Sequence, residues 1–246
     1  MLFLFFLFSL ITADLSAKEH DWKNRVYLAT YPRSGNHWVR YLIEEATGIA
    51  TSSVYQDHVP EHLPTIFRWG GYCADHGYEG LSSYPENGQI AIVKTHFPAS
   101  SATPFDKLPY VRSIRIIRHP IDCFYSLYLY KQNYPFKPYY FLIPRKFLYK
   151  YIKSWSRFQK YWDAQKNVVT IRYEDLHRDP ILHLGIILKR LGYSVSSEDI
   201  QRAVTKYPPR GHLLKHLEHF TKEDLSIMES HLGSLMRQYG YTIPTL

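Results

Sequence analysis

The sequence predicts a single α/β domain in which a central parallel sheet is flanked by helices on both faces. Short runs rich in valine and isoleucine alternate with longer stretches of helical periodicity, which is the pattern of parallel strands joined by helices. The 246 residues are 45% hydrophobic, which is enough for one sizeable core, and no stretch of linker composition divides the chain.

Four short runs predict buried strands because they are rich in β-branched residues and are bounded by turn signals. They are residues 26–29, 90–95, 113–118 and 167–173.

Helices are predicted from apolar periodicity and from capping residues at their ends. They are residues 39–46, ending near Gly48; 121–130, opened by Pro120; an aromatic stripe over Phe147, Tyr151, Trp155, Phe158 and Trp162; 181–191, after Asp179 and Pro180; one from Ser196; and one from Thr221 to Gly240. The segments 51–88 and 131–146 are rich in Pro, Gly and Tyr and predict long loops that shape a substrate mouth.

The composition favours an anionic ligand and excludes a disulfide framework. The net charge is +8, spread along the chain without a long basic block or a familiar nucleic-acid module, so no nucleic-acid partner is predicted. Two cysteines, Cys73 and Cys123, have no metal-ligand spacing. Cys123 is predicted to be a small core residue, and Cys73 receives no assignment.

The first eleven residues are almost wholly apolar but are too short to span a bilayer. They predict a signal peptide over residues 1–17, with a short membrane anchor as the alternative. The remaining domain, 18–246, would then act in the lumen of the secretory pathway, in a Golgi-like compartment, or be exported. A cytoplasmic or membrane-associated location stays open.

Residues 31–38 (YPRSGNHW) join the first predicted strand to the first predicted helix. A tight turn with one glycine and one cation before a helix presents backbone N–H groups and the positive end of the helix dipole, which suits a phosphate. The loop lacks the Gly-Lys-Ser/Thr ending whose hydroxyl holds magnesium in nucleoside-triphosphate loops. It therefore predicts phosphate binding without that metal seat.

Four segments, in order along the chain, resemble the motifs of sulfotransferases that use 3′-phosphoadenosine 5′-phosphosulfate (PAPS). Residues 31–38 resemble the 5′-phosphosulfate loop, usually YPKSGTTW, and residues 94–98 (KTHFP) are similar to the Lys-Thr-His-x-Pro of the aryl and alcohol enzymes. Residues 118–126 (RHPIDCFYS) are similar to the 3′-phosphate segment, and residues 172–176 (RYEDL) to a Tyr-Glu-Asp segment. The resemblance implies a P-loop-like fold, PAPS as co-substrate and no required metal.

The resemblance also implies which residues bind the donor. Trp38 would stack on adenine with Tyr173 nearby, although both are also typical core residues, and Arg118 with Ser126 would hold the 3′-phosphate. Arg210 is what remains of the family's C-terminal Arg-Lys-Gly-x-x-Gly element and is a candidate for the same phosphate. The implied donor-binding set is Arg33, Ser34, Gly35, Asn36, His37, Trp38, Arg118, Ser126, Tyr173 and Arg210.

Three residues are candidates for catalysis. His96 is the proposed general base, because imidazole titrates in the range needed to accept a proton from an attacking hydroxyl. Lys94 would add positive charge near the transferred group. Arg33 stands where the family usually has lysine, and because guanidinium does not give up its proton, it predicts electrostatic stabilisation rather than acid catalysis.

The leading hypothesis is transfer of a sulfuryl group to a hydroxyl or amine of a small-molecule, lipid or saccharide acceptor. The alternatives are a nucleotide or small-molecule kinase with an unusual phosphate loop, and a non-catalytic binder of nucleotides or sulfated glycans. Membrane proximity and a homodimer stay open.

Overall fold

The computed structural model describes residues 25–49, 51–53, 91–100, 112–132 and 140–244. The predicted signal peptide, Cys73, most of the predicted 51–88 loop and residues 133–139 lie outside this part of the chain.

Five strands in the described residues form one sheet in which every neighbouring pair is parallel. They are β1 (Arg25–Thr30), β2 (Ser52–Ser53), β3 (Ala91–Thr95), β4 (Arg112–Ile117) and β5 (Val168–Arg172), in the order β2-β3-β1-β4-β5. The four predicted strands are confirmed with small shifts at their ends. The two-residue edge strand β2 lies inside a segment predicted as loop.

Six of the seven helices in the described residues follow the predicted pattern, whereas the sequence does not predict the short helix Tyr173–Arg178, whose first residue it places at the end of the fourth strand. In chain order they are α1 (Asn36–Thr47), α2 (Pro120–Lys131), α3 (Arg145–Asp163), α4 (Tyr173–Arg178), α5 (Pro180–Leu191), α6 (Ser197–Lys206) and α7 (Lys222–Gln238), with a 3-10 turn at Leu217–His219. The predicted caps are present, because the side chains of Asp179, Ser196 and Thr221 each accept a hydrogen bond from a backbone N–H of the following first turn.

Two helix starts differ from prediction. Helix α1 begins at Asn36 rather than Val39, because Gly35 ends the turn with φ 90° and its carbonyl already accepts the Val39 N–H at 3.1 Å. Helix α3 begins at Arg145, inside the segment predicted as loop up to residue 146. The turn between β1 and α1 is therefore shorter than predicted, because the last three residues of the 31–38 motif form the first turn of α1.

The side chains of β1 divide the core between the two faces of the sheet. Tyr27 and Ala29 pack with α2, α3 and α7, while Val26 and Leu28 pack with α1, α5 and α6. This alternation confirms helices on both faces. Most of the aromatic stripe of α3 is buried, and Cys123 is a fully buried core residue as predicted.

The strand order places a crevice at the carboxyl end of β1. After β1 the chain forms β2 and β3 on one side of β1, and it then crosses to form β4 on the other side. The loops after β1, β3 and β4 therefore converge at this end of the sheet. Open parallel sheets bind ligands at such a reversal of strand order. Among the described helices, none has both the length and the apolar character needed to cross a membrane.

Candidate active site

A cavity of about 1300 Å³ lies at the carboxyl ends of β1, β3 and β4. Three of the four sequence motifs line it: the loop after β1, the end of β3 and the start of α2. The predicted site residues on its wall are Arg33, Gly35, Asn36, His37, Trp38, Lys94, His96, Arg118 and Ser126. The sheet therefore brings into one cavity predicted site residues as far apart in sequence as Arg33 and Ser126, which are 93 positions apart.

The loop after β1 depends on Gly35. Its φ of 90° lies in the left-handed region, and a Cβ there would approach the Tyr173 ring to 2.6 Å. Glycine is favoured both by the backbone conformation and by this close approach. The first turn of α1 starts immediately after it, and first-turn N–H groups have no partner within their own helix, so they are suited to an anion.

Two polar side chains of the loop serve its structure. Ser34 is fully buried, with its Oγ 3.3 Å from the Cys123 Sγ. Asn36 donates its amide to the Thr30 Oγ1 at 3.2 Å. Burial raises the pKa of the Cys123 thiol to about 12, so Cys123 is an inert packing residue under Ser34.

The predicted 3′-phosphate residues contact the β1 loop directly. Arg118 donates to the Arg33 carbonyl oxygen at 3.2 Å, and the Arg33 Nε donates to the Ser126 Oγ at 2.9 Å. Burial and, among the nearby charges, the Arg118 guanidinium lower the pKa of Arg33, yet a guanidinium stays charged at neutral pH. Two cations and a hydroxyl thus form a continuous wall whose charge and hydrogen-bond donors suit an anion.

A buried carboxylate that the motif assigned no role holds this wall together. Asp122 is fully buried, pairs with Arg118 at 3.1 Å, and accepts the backbone N–H groups of Leu214 and His216 at 3.0 and 3.3 Å. These bonds fix the loop that carries Lys215, and Lys215 lines the cavity.

Arg210, the C-terminal cation selected from the sequence, is exposed and is not one of the residues that line the cavity. The structure instead brings Lys215 to the site. Because Lys215 lies outside any recognisable motif, only the tertiary bonds of Asp122 identify it.

Tyr173 lies behind the cavity and supports the residues on its wall. It is 8% exposed, meets Trp38 edge-on at 5.6 Å between ring centroids, and lies under the Arg118 guanidinium at 4.2 Å. Trp38 lines the cavity while its indole N–H donates to the Tyr207 carbonyl at 2.8 Å. Trp38 is therefore both partly packed and open to a ligand.

Glu174, next to Tyr173, anchors the C-terminal tail to the end of β4. It accepts the His119 N–H at 2.9 Å and the Tyr241 hydroxyl. The motif thus contains a structural carboxylate as well as an aromatic residue near the wall formed by Arg33, Arg118 and Ser126.

The position of His96 suits a base. Its Nδ1 lies 2.7 Å from the Thr30 carbonyl oxygen. A carbonyl only accepts hydrogen bonds, so Nδ1 carries the proton and, in the neutral ring, the lone pair is on Nε2. Lys94, 4% exposed, lines the same cavity from the end of β3.

Within the described residues, no cluster of three or more His, Cys, Asp and Glu side chains is arranged to hold a metal ion.

Known proteins share parts of this sequence. The chain is 32% identical to the Drosophila melanogaster WSCD family member CG9164 over 113 residues, which are 46% of this chain and 30% of that protein. It is 25% identical to Mus musculus sulfotransferase 6B1 over 197 residues, which are 74% of this chain and 59% of that protein. In both alignments the chain spans less than two thirds of its relative.

Solved structures share the fold. Mouse sulfotransferase SULT7A1, complexed with PAP (adenosine 3′,5′-bisphosphate), superposes with a TM-score of 0.57 at 21% identity. The superposition covers 87% of this chain and 84% of that chain. The sulfotransferase domain from the curacin biosynthetic pathway superposes with a TM-score of 0.55 at 12% identity, covering 90% and 99%.

The family model of the sulfotransferase domain matches residues 23–232, a stretch that includes all four motifs and every strand of the sheet. A match over most of the chain, on a shared fold, shows that this protein belongs to the sulfotransferase-domain family.

Proposed function

We propose that the protein transfers a sulfuryl group from PAPS to a hydroxyl or amine acceptor. The observation that carries this proposal is the convergence of the β1 loop, Arg118 with Ser126, and His96 in one cavity. The neighbour SULT7A1 was solved with PAP, which supports a PAPS donor here.

The residues present suit an anionic donor with phosphates at two positions. One set is Arg118, Ser126 and Lys215 on the β4 side, and the other is the first turn of α1 with Arg33 and Lys94. Trp38 offers a partly exposed ring beside the first set, where it can stack on a base.

In the proposed reaction, the donor supplies an activated sulfuryl group whose sulfur is attacked by the acceptor oxygen or nitrogen. A new bond to sulfur forms as the bond from sulfur to the phosphate oxygen breaks. His96 accepts the acceptor's proton at Nε2, while Thr30 holds the ring by Nδ1. Arg33 and Lys94 stabilise the charge that develops on the departing oxygen.

Calorimetric titration of the purified protein with adenosine 3′,5′-bisphosphate (PAP) tests the donor site. We expect binding that Arg118→Gln weakens by roughly 10- to 100-fold, the cost of losing a charged hydrogen bond. Arg112→Gln, at the opposite end of β4, is the matched control and should keep the wild-type affinity. The absence of any PAP binding would refute the proposal, and magnesium-dependent consumption of ATP would favour a kinase instead.

Transfer of radiolabelled sulfate from PAPS to a panel of phenols, sterols and saccharides tests the chemistry. We expect His96→Gln to lose about 10²- to 10⁴-fold in kcat, the usual contribution of general base catalysis, and to keep its PAP affinity. EDTA should leave wild-type turnover unchanged. A His96→Gln enzyme with wild-type kcat would exclude His96 as the base, and PAP binding without transfer to any acceptor would favour a binding protein.

The apolar run over residues 1–11, within the signal peptide predicted over 1–17, supports a second part of the proposal, that the enzyme acts in the lumen of the secretory pathway. Mass spectrometry of the protein recovered from that lumen should show a chain that starts after residue 17. A full-length chain in the cytosol would refute it.

A further inference from the structure

The cavity has a donor side and an acceptor side, separated by the β1 loop. Strands β3 and β4 flank β1 on opposite sides, so His96 follows one neighbour and Arg118 follows the other. Under the proposed function, on which this inference rests, the acceptor reaches the donor from the His96 side.

Helix α3 forms the wall on the His96 side. Arg157 donates to the Pro98 carbonyl at 2.7 Å, and the Trp162 indole N–H donates to the Phe97 carbonyl at 2.8 Å. At the same helix, the Ser154 hydroxyl lies 2.8 Å from the Tyr31 hydroxyl. The first two contacts fix α3 against the turn that follows His96, and the third joins the same helix to the β1 loop.

The face of α3 that lines the cavity is basic. Lys150, Lys153 and Arg157 lie at i, i+3 and i+7, the spacing that places side chains along one helix face, and all three line the cavity. Lys131, at the end of α2, joins them. Burial and the nearby charge of Lys150 lower the pKa of Lys131, so the two ammonium groups lie close enough to repel each other.

These cations lack acidic partners. Among the described residues that line the cavity, eight are lysine or arginine and none is acidic. No ion pair between described residues involves Lys131, Lys150, Lys153 or Arg157. By contrast, Arg145 at the start of the same helix pairs with Glu223. A cluster of like charges without counter-charges costs free energy unless an anion joins it.

The donor does not account for this cluster. On the donor side, Arg33 is part of the β1 loop and Arg118 donates a hydrogen bond to it. Lys215 lies in the loop whose backbone is held by Asp122. Lys94 reaches the cavity from β3. The basic face of α3 is a separate element, fixed to the turn after His96, and therefore faces whatever group is brought to that base.

We propose that the acceptor is itself an anion, a hydroxyl compound that carries a carboxylate or sulfate ester which Lys150, Lys153 and Arg157 bind beside His96. The acceptor-side wall then selects acidic acceptors over neutral ones of the same shape.

Binding to the protein saturated with PAP tests this selection apart from the donor site. Two probe pairs compare an acidic with a neutral compound: a hyaluronan tetrasaccharide against tetra-N-acetylchitotetraose, and 4-hydroxybenzoate against 4-hydroxybenzamide. We expect the acidic member of at least one pair to bind about tenfold more tightly. The pair that shows the preference distinguishes a saccharide from an aromatic acceptor.

The double variant Lys150→Gln/Lys153→Gln should lose that preference while PAP affinity changes by less than about threefold. Lys146→Gln/Lys160→Gln removes the same charge from the same helix at positions that do not line the cavity, and should retain the preference. Equal binding within both pairs, or equal loss in both double variants, would overturn the inference. Failure of PAP itself to bind would instead refute the proposed function.

Discussion

At the scale of single residues, Asp122 organises the cavity wall that Arg33, Arg118 and Ser126 form. One buried carboxylate accepts hydrogen bonds from the Arg118 guanidinium and from two backbone N–H groups of the Lys215 loop. Because Asp122 is fully buried, its charge depends on these donors and on its place in the first turn of α2. The positions of Arg118 and Lys215 therefore depend on the same side chain.

Replacing this carboxylate should weaken donor binding without a direct contact to the donor. We expect Asp122→Asn to lower PAP affinity by roughly 10- to 100-fold, because the charged hydrogen bonds that hold Arg118 and the loop are lost. Calorimetry with PAP measures the effect. Asp199→Asn, which alters an exposed ion pair with Arg202, is the control and should bind PAP normally. Wild-type affinity in Asp122→Asn would show that the wall holds without this anchor.

A second residue-scale prediction concerns His216 and acid stability. Burial, and then the charge of Lys215, lower the pKa of His216 from 6.5 to about 4. In the unfolded chain His216 binds a proton as the pH falls below about 6.5, whereas in the folded chain it binds that proton only near pH 4. Between these two pH values protonation favours the unfolded chain, so this group reduces stability as the pH falls. Above pH 6.5 it has no such effect.

His216→Gln should therefore lose less thermal stability than the wild type between about pH 7 and about pH 4, since the substituted side chain does not titrate. Thermal unfolding followed by circular dichroism at a series of pH values measures the difference. The outcome that counts against this account is an identical fall in Tm for both proteins.

At the scale of elements, both ends of α1 carry a glycine in the left-handed region. Gly35 at the start has φ 90° and Gly48 at the end has φ 69°. Only Gly35 lies against another side chain, because a Cβ at Gly48 would meet nothing within 4 Å. Substitutions at these two glycines therefore distinguish the effect of backbone strain, which both share, from the effect of crowding by the Tyr173 ring, which only Gly35 has.

Gly35→Ala and Gly48→Ala should each cost about 1–2 kcal/mol of stability through the left-handed backbone. Only Gly35→Ala should also lose PAP affinity, because the new methyl group pushes against Tyr173 and shifts the β1 loop. Urea unfolding and PAP titration on both variants measure the two effects. Equal PAP affinities would mean that the loop absorbs the methyl group without moving.

At the scale of the whole molecule, a basic cavity on a chain of net charge +8 should attract its ligand electrostatically. We expect PAP affinity to fall by at least about tenfold between roughly 20 mM and 500 mM NaCl, because salt screens these charges. Adenosine, which has no phosphate, serves as the reference ligand. Affinity for PAP that is independent of salt would argue against an electrostatic donor site.

Much of the site could be predicted because its residues lie in short motifs at strand ends. Arg118 and Ser126 occur in one such motif, and the structure places both on the cavity wall. Lys215 could not be predicted, since the bonds of Asp122 that carry it to the wall join residues more than ninety positions apart. The sequence also does not show that Arg210 is exposed and off the cavity wall, since that depends on how its segment packs in the folded chain.

The sequence by itself determined the alternation of strands and helices, the capping residues and the order of the motifs, since each depends on neighbours a few residues apart. Only the tertiary structure decided which cations face the cavity, that Thr30 holds His96 by Nδ1, and that the basic face of α3 stands beside that base. These features arise where separate elements pack together, and local periodicity carries no information about which elements meet.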